Sequence, residues 1–218
     1  MTETFRASAS RAVQRRFALA FVLFFASGMA GLIYQIVWSR LLTLVVGVSI
    51  FAVTAVICTF MAGLALGSYL IGRTGDRWGD PLRAYGVIEG VIGVYAALTP
   101  WIFEAIQPLY ASAFRVFEGP GLNAFRIVLS ALVLLIPTGL MGGTLPLLAR
   151  AVTARDDRAA RGVGRLYAVN TLGAVAGCLA AGFLLLSEVG IRGSLFIAAA
   201  MNLAITALAF LAPRMPSP

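Results

Sequence analysis

Six apolar stretches, each long enough for a helix to cross a bilayer, occupy residues 17–38, 49–72, 84–103, 126–149, 163–186 and 192–212. A membrane span needs about 20 apolar residues to bridge a hydrocarbon core of about 30 Å. With 60% hydrophobic and 12% charged residues, the chain does not have the composition of an ordinary soluble domain. The sequence therefore predicts an all-α polytopic membrane protein. It has a polar cytoplasmic lead over 1–16, a six-helix transmembrane domain over 17–212 and a cytoplasmic tail over 213–218.

The 17 basic residues are all Arg, and their placement sets the orientation. Arg6, Arg11, Arg15 and Arg16 precede the first span, and Arg73, Arg77 and Arg83 lie between the second and third. Arg150, Arg155, Arg158, Arg161 and Arg165 lie between the fourth and fifth, and Arg214 follows the sixth. Only Arg40, Arg115, Arg126 and Arg192 fall on the other side. Cytoplasmic connections retain positive charge, so both termini are expected in the cytoplasm of an inner, cytoplasmic-type membrane. The net charge of +8 then reflects topology and contact with the lipid bilayer rather than nucleic-acid binding. Phe17–Trp38 is too long for a cleaved signal peptide, and Cys58 and Cys178 lack metal-ligand or redox spacing.

The connections carry their own signals. Residues 39–48 are too apolar for a loop, so the first helix is expected to continue to about Val46, with Gly47 as its terminator. Residues 104–125, broken by Pro108, Gly119, Pro120 and Gly121, read as a long external connection, with Gln107–Phe117 lying along the membrane surface. Arg155-Asp156-Asp157-Arg158 reads as a solvated cytoplasmic loop. Small residues recur at four-residue spacing at Gly63/Gly67, Gly86/Gly90, Gly139/Gly143 and Gly173/Gly177/Ala181, as in tightly packed membrane helices.

Candidate functional residues are few. Gly72-Arg-Thr-Gly-Asp76-Arg77-Trp-Gly79 resembles the signature loop of the major facilitator superfamily. That resemblance implies a cytoplasmic latch built on Gly72, Asp76, Arg77 and Gly79, although Asp80 and Pro81 stand where a basic pair is expected. Read without the resemblance, the same residues form a tight turn. Glu89 is the one carboxylate well inside an expected span, and an ionisable group there is a functional candidate. Asn170 and Tyr167 lie at a similar cytoplasmic-side depth, so Glu89, Asn170, Tyr167 and an Arg form a candidate polar layer, as structural pairs or as a solute or proton site. Pro137, Gly142, Gly143 and Pro146 in the fourth span are expected to bend or break that helix. Tyr34, Trp38 and Arg40 read as an aromatic belt with an anchor, which leaves Gln35 as a further polar candidate. With no His there is no imidazole base and no Ser-His arrangement. Catalytic residues, a metal site and cofactors are not expected.

Four ordered segments together resemble the membrane region of spermidine synthase-like membrane proteins, the fused major facilitator/spermidine synthase family. They are Ser27-Gly-Met-Ala-Gly-Leu-Ile-Tyr-Gln-Ile-Val-Trp-Ser-Arg40, Phe60-Met-Ala-Gly-Leu-Ala-Leu-Gly-Ser68, Pro137-Thr-Gly-Leu-Met-Gly-Gly-Thr-Leu-Pro-Leu-Leu148 and Leu166-Tyr-Ala-Val-Asn-Thr-Leu-Gly-Ala174. The resemblance implies a bundle like half of a major facilitator transporter, normally followed by a cytoplasmic aminopropyltransferase-like domain that this sequence lacks. Gln35 stands where the family commonly has Glu.

Two functional expectations follow. The first is a transporter-like or anchoring unit for a small cationic or amphipathic solute, paired with itself as a homodimer, with other membrane chains or with an aminopropyltransferase-like protein. The second is a non-catalytic structural subunit of a larger membrane complex.

Overall fold

The computed structural model describes the backbone of residues 2–46, 50–153 and 159–212, with side chains for 15–44, 50–51, 53–75, 77–152 and 161–212. Among these residues the fold is all-α. The elements are α1 (Thr2–Val46), α2 (Ile50–Thr74), a 3-10 turn (Gly75–Arg77), α3 (Pro81–Val116), α4 (Gly119–Thr153) and α5 (Ala159–Ala180). A π turn (Ala181–Leu185), α6 (Leu186–Glu188) and α7 (Gly190–Leu211) complete it. Six helical segments are long and apolar enough to cross a membrane, and α5, the π turn and α6 together make one of them. Gly47, the charged run at Arg155–Arg158 and the tail with Arg214 lie outside the described residues.

Helix α1 reaches Val46, as its apolar continuation predicts, but it also begins at Thr2. From residue 2 onward the expected lead is thus a helical extension of the first span. Helix α3 starts where Asp80 caps it, the Asp80 carboxylate accepting from the Leu82 N–H at 3.0 Å with Pro81 in the first turn. Two ion pairs mark levels along α3: Arg16–Asp80 near its start and Arg192–Glu104 further on. Asp80 and Glu104 are 24 residues apart, about 36 Å at 1.5 Å per residue. The charged levels are thus slightly further apart than a hydrocarbon core is thick.

The expected external connection over 104–125 is mostly helix. Helix α3 continues through Pro108 to Val116, only Phe117 and Glu118 lie between it and α4, and Gly119 makes the turn with a φ of 51°. Side chains hold these arms together. The Tyr110 ring contacts Phe114 and Phe125, Phe117 stacks on Phe125, and Arg126 donates to the Tyr110 hydroxyl at 3.2–3.3 Å. Such cross-helix packing outweighs the local breaker signals, and a proline mid-helix is tolerated once its surroundings compensate.

The helices pair by rule: α2 packs on α4, α1 on α5, α3 on α7, and then α3 on α4 and α1 on α7. Exchanging the first three crossings for the last three maps this set of pairs onto itself. The glycines give the directions. A Cβ at Gly173 would strike the Phe25 carbonyl and one at Gly177 the Met29 carbonyl, so α1 and α5 run parallel. Gly63 faces Thr138 and Gly75 faces Arg150, so α2 and α4 are also parallel. Gly86 faces Ala209 and Gly93 faces Asn202, which makes α3 and α7 antiparallel. The bundle thus contains two interleaved three-helix units of opposite orientation. The four small-residue ridges are spent on contacts within it.

Candidate functional site

Ser27 on α1, Glu89 on α3 and Asn202 on α7 meet in the bundle's interior. Glu89 is 1% exposed. Its carboxylate accepts from the Ser27 hydroxyl at 2.5 Å, and its backbone carbonyl accepts from the Asn202 side-chain amide at 3.3 Å. Asn202 reaches α3 because Gly93, one turn beyond Glu89, has no side chain to keep the two helices apart. Tyr85, one turn before Glu89, is sealed in the same seam. Its hydroxyl donates to the Leu23 carbonyl at 3.2 Å and its ring meets Phe24 edge-on.

Depth follows from the same helices. Ser27 is 11 residues beyond Arg16 and Glu89 is nine beyond Asp80, about 14–17 Å along each axis from that ion pair. Glu89 therefore lies toward the middle of the span, at the contact between the two three-helix units. An ionisable group at such depth carries a large desolvation cost and faces the bundle interior. Among the described residues it forms no ion pair, and a serine hydroxyl takes the place of the expected Arg. The buried polar atoms with no hydrogen-bond partner among the described residues include the Tyr34 hydroxyl and the Asn202 side-chain carbonyl. A buried carboxylate of this kind is chemically able to exchange a proton or to hold a small cation.

The other expected polar residues are dispersed. Asn170 packs against α1 at Gly28, beside Ser27 in sequence but on the face toward α5. Tyr167 is 62% exposed and points away from the seam. Gln35 is half-buried, eight residues beyond Ser27 on α1. Tyr34 and Trp38 are not an interfacial belt. Both are buried and stacked at 5.0 Å, and the Trp38 indole N–H donates to Thr99 on α3 at 3.3 Å.

At the latch, the Gly72 carbonyl accepts from Arg150 at 2.6 Å, which ties the end of α2 to the end of α4. Arg77 is exposed, and Gly79 turns the chain with a φ of 39°. The side chain of Asp76 lies outside the described residues. An ion pair through Asp80 fastens this turn, with Arg16 Nη2 reaching both carboxylate oxygens at 3.0 and 2.9 Å. Asp-Pro at a helix start was the available sequence signal for Asp80.

The expected break in α4 is not an interruption, because the helix is continuous through Pro137 and Pro146. Pro137 and Thr138 are buried, and Gly139 and Gly142 let the α2 backbone approach closely near Leu64 and Gly67. Gly142 and Gly143 lie against α2, at Leu64 and Ile71.

Curated proteins similar to this chain include polyamine aminopropyltransferases of Mycobacterium tuberculosis (strains CDC 1551 / Oshkosh and ATCC 25618 / H37Rv) and of Mycobacterium bovis (strain ATCC BAA-935 / AF2122/97). Each is 29% identical over 218 residues, covering 94% of this chain and 38% of the relative. The chain thus spans well under half the length of the curated relatives it matches. No protein-family model and no solved structure matches it. Fold and comparison together define an all-α unit of six membrane-length helices, similar to part of a polyamine aminopropyltransferase.

Proposed function

We propose that this chain is a transporter-like membrane unit, resembling half of a major facilitator bundle, that handles a small cationic or amphipathic solute. Polyamines are the first candidates, given what the similar proteins are named for. Glu89 carries this reading: a buried carboxylate toward mid-depth, at the junction of two inverted three-helix units, held by Ser27 and with the Asn202 amide on its backbone carbonyl. Transporters assembled from inverted repeats place their sites at such junctions. A second half completes the path, either another copy of this chain or another membrane chain. An aminopropyltransferase-like protein is the candidate soluble partner. The membrane is of the inner, cytoplasmic type, with both termini in the cytoplasm, following the arginine bias.

The test is uptake of radiolabelled putrescine and spermidine into vesicles reconstituted with the protein, driven by an imposed pH gradient. Wild-type uptake above protein-free vesicles, with Glu89→Gln at background, is the expected result. Full uptake by Glu89→Gln would remove Glu89 from the mechanism.

The sealed seam also favours a second reading, in which the Ser27–Glu89 bond only joins helices of a structural subunit. Absence of uptake, together with mild-detergent extraction in a fixed-ratio assembly of other membrane proteins, would select it.

A further inference from the structure

The end of the bundle marked by Arg16 and Asp80 carries a second feature that the Glu89 seam does not use. An open groove of about 520 Å³ lies between the start of α3 and the end of α7, lined by Arg77, Trp78, Asp80, Arg83, Val87 and Phe210 among others. Asp80 is already neutralised by Arg16, so the rim presents the guanidinium groups of Arg77 and Arg83. Arg83 lies over the Phe210 ring at 5.8 Å, and its buried Nε has no acceptor among the described residues. A buried charged donor without an acceptor is costly, and an anionic oxygen is the group that would relieve it. The wall below the rim is apolar and faces outward, with Val87 47% and Phe210 44% exposed. Val87 is seven residues further along α3 than Asp80, about 10 Å deeper. A polar rim at the boundary therefore continues into a wall at hydrocarbon depth.

We propose that this groove holds the phosphate-bearing headgroup of an anionic membrane lipid. Arg77 and Arg83 take the phosphate, Trp78 lies at the boundary, and Val87 and Phe210 take the first part of an acyl chain. Free phosphate offers the same charge chemistry, but it leaves the apolar wall unused. Basic pockets at the edge of a helical bundle suit such headgroups.

The experiment is native mass spectrometry of the detergent-purified protein with equal amounts of phosphatidylglycerol and phosphatidylcholine, repeated in millimolar inorganic phosphate. Wild type should retain phosphatidylglycerol selectively. Arg77→Gln/Arg83→Gln should retain about tenfold less, on the order of a few-fold per arginine, while Arg115→Gln near the far end of α3 should match wild type. Arg77 is exposed, so Arg77→Gln alone should leave the fold intact and lower retention a few-fold if the double variant does not fold. Equal retention of the two lipids, or unchanged retention in Arg77→Gln, overturns the proposal. Phosphate binding that displaces phosphatidylglycerol also overturns it, by naming free phosphate as the ligand.

Discussion

The Tyr95 hydroxyl on α3 donates to the Val133 carbonyl on α4 at 2.6 Å, and Val133 is the residue four positions before Pro137. A proline within a helix offers no N–H to the carbonyl one turn back. In hydrocarbon that carbonyl has no water to turn to. Tyr95 supplies the missing donor from a neighbouring helix, and this lets α4 carry Pro137 without interruption.

Tyr95→Phe should therefore destabilise the bundle by about 1 kcal/mol, the scale of an interhelical hydrogen bond in a membrane. Pro137→Ala restores an N–H to Val133, so the same Tyr95→Phe change should cost less in that background. Unfolding of the four proteins in mixed micelles measures the coupling. Strict additivity would show that Tyr95 and Pro137 act independently.

Gly67→Ala should cost about 2 kcal/mol, the scale of overpacking a filled interior. Its new Cβ would run into the backbone of Gly139, which no side-chain rotation can move aside. Gly31→Ala, on a face with nothing near the added carbon, should be neutral or slightly stabilising. The fraction of each variant that stays monodisperse after heating in detergent is the readout. A Gly67→Ala protein as stable as wild type would contradict the close approach of α2 and α4.

Asp80→Ala removes both the cap of α3 and the partner of Arg16, whereas Asp80→Asn keeps a capping oxygen and loses the charge. The alanine variant should lose about 1 kcal/mol more than the asparagine variant. Hydrogen exchange should quicken first at the Leu82 amide, which Asp80 holds. Equal losses in the two variants would assign the whole effect to the ion pair.

Asn202→Leu separates structure from function. The Asn202 side-chain carbonyl is buried without a partner, and such a group is costly to keep. The leucine variant removes that carbonyl together with the amide bond to Glu89, so its stability should stay within about 1 kcal/mol of wild type, while it loses most solute uptake if Asn202 lines the path. Unchanged uptake would confine Asn202 to packing.

Six spans were legible because each is a long apolar run that water would expel, and α1 could be followed to Val46 for the same reason. The surroundings of Glu89 were not legible. Its partner Ser27 is 62 residues away, and a serine in an apolar run carries no sign of what it faces. Tyr34 and Trp38 were misread as a belt because sequence gives depth along a helix, not which side of it faces a neighbour. The arms around Tyr110 and Phe125 were hidden by Pro108 and the glycines after it. Those residues announce a turn locally, while the aromatic contacts that override them arise only when α3 and α4 lie side by side.

The interleaving of α1 with α5 and α2 with α4 has a bearing on how the protein is made. The first three crossings enter the membrane while their main partners are still unsynthesised, so the bare glycine surfaces of α2 face lipid during translation. Closure waits for the sixth crossing, the main partner of α3, and a ribosome stalled after α3 would leave helices in the bilayer with no finished interior. A chain cut between α3 and α4 should then yield two fragments that are each short-lived alone and protected when made together.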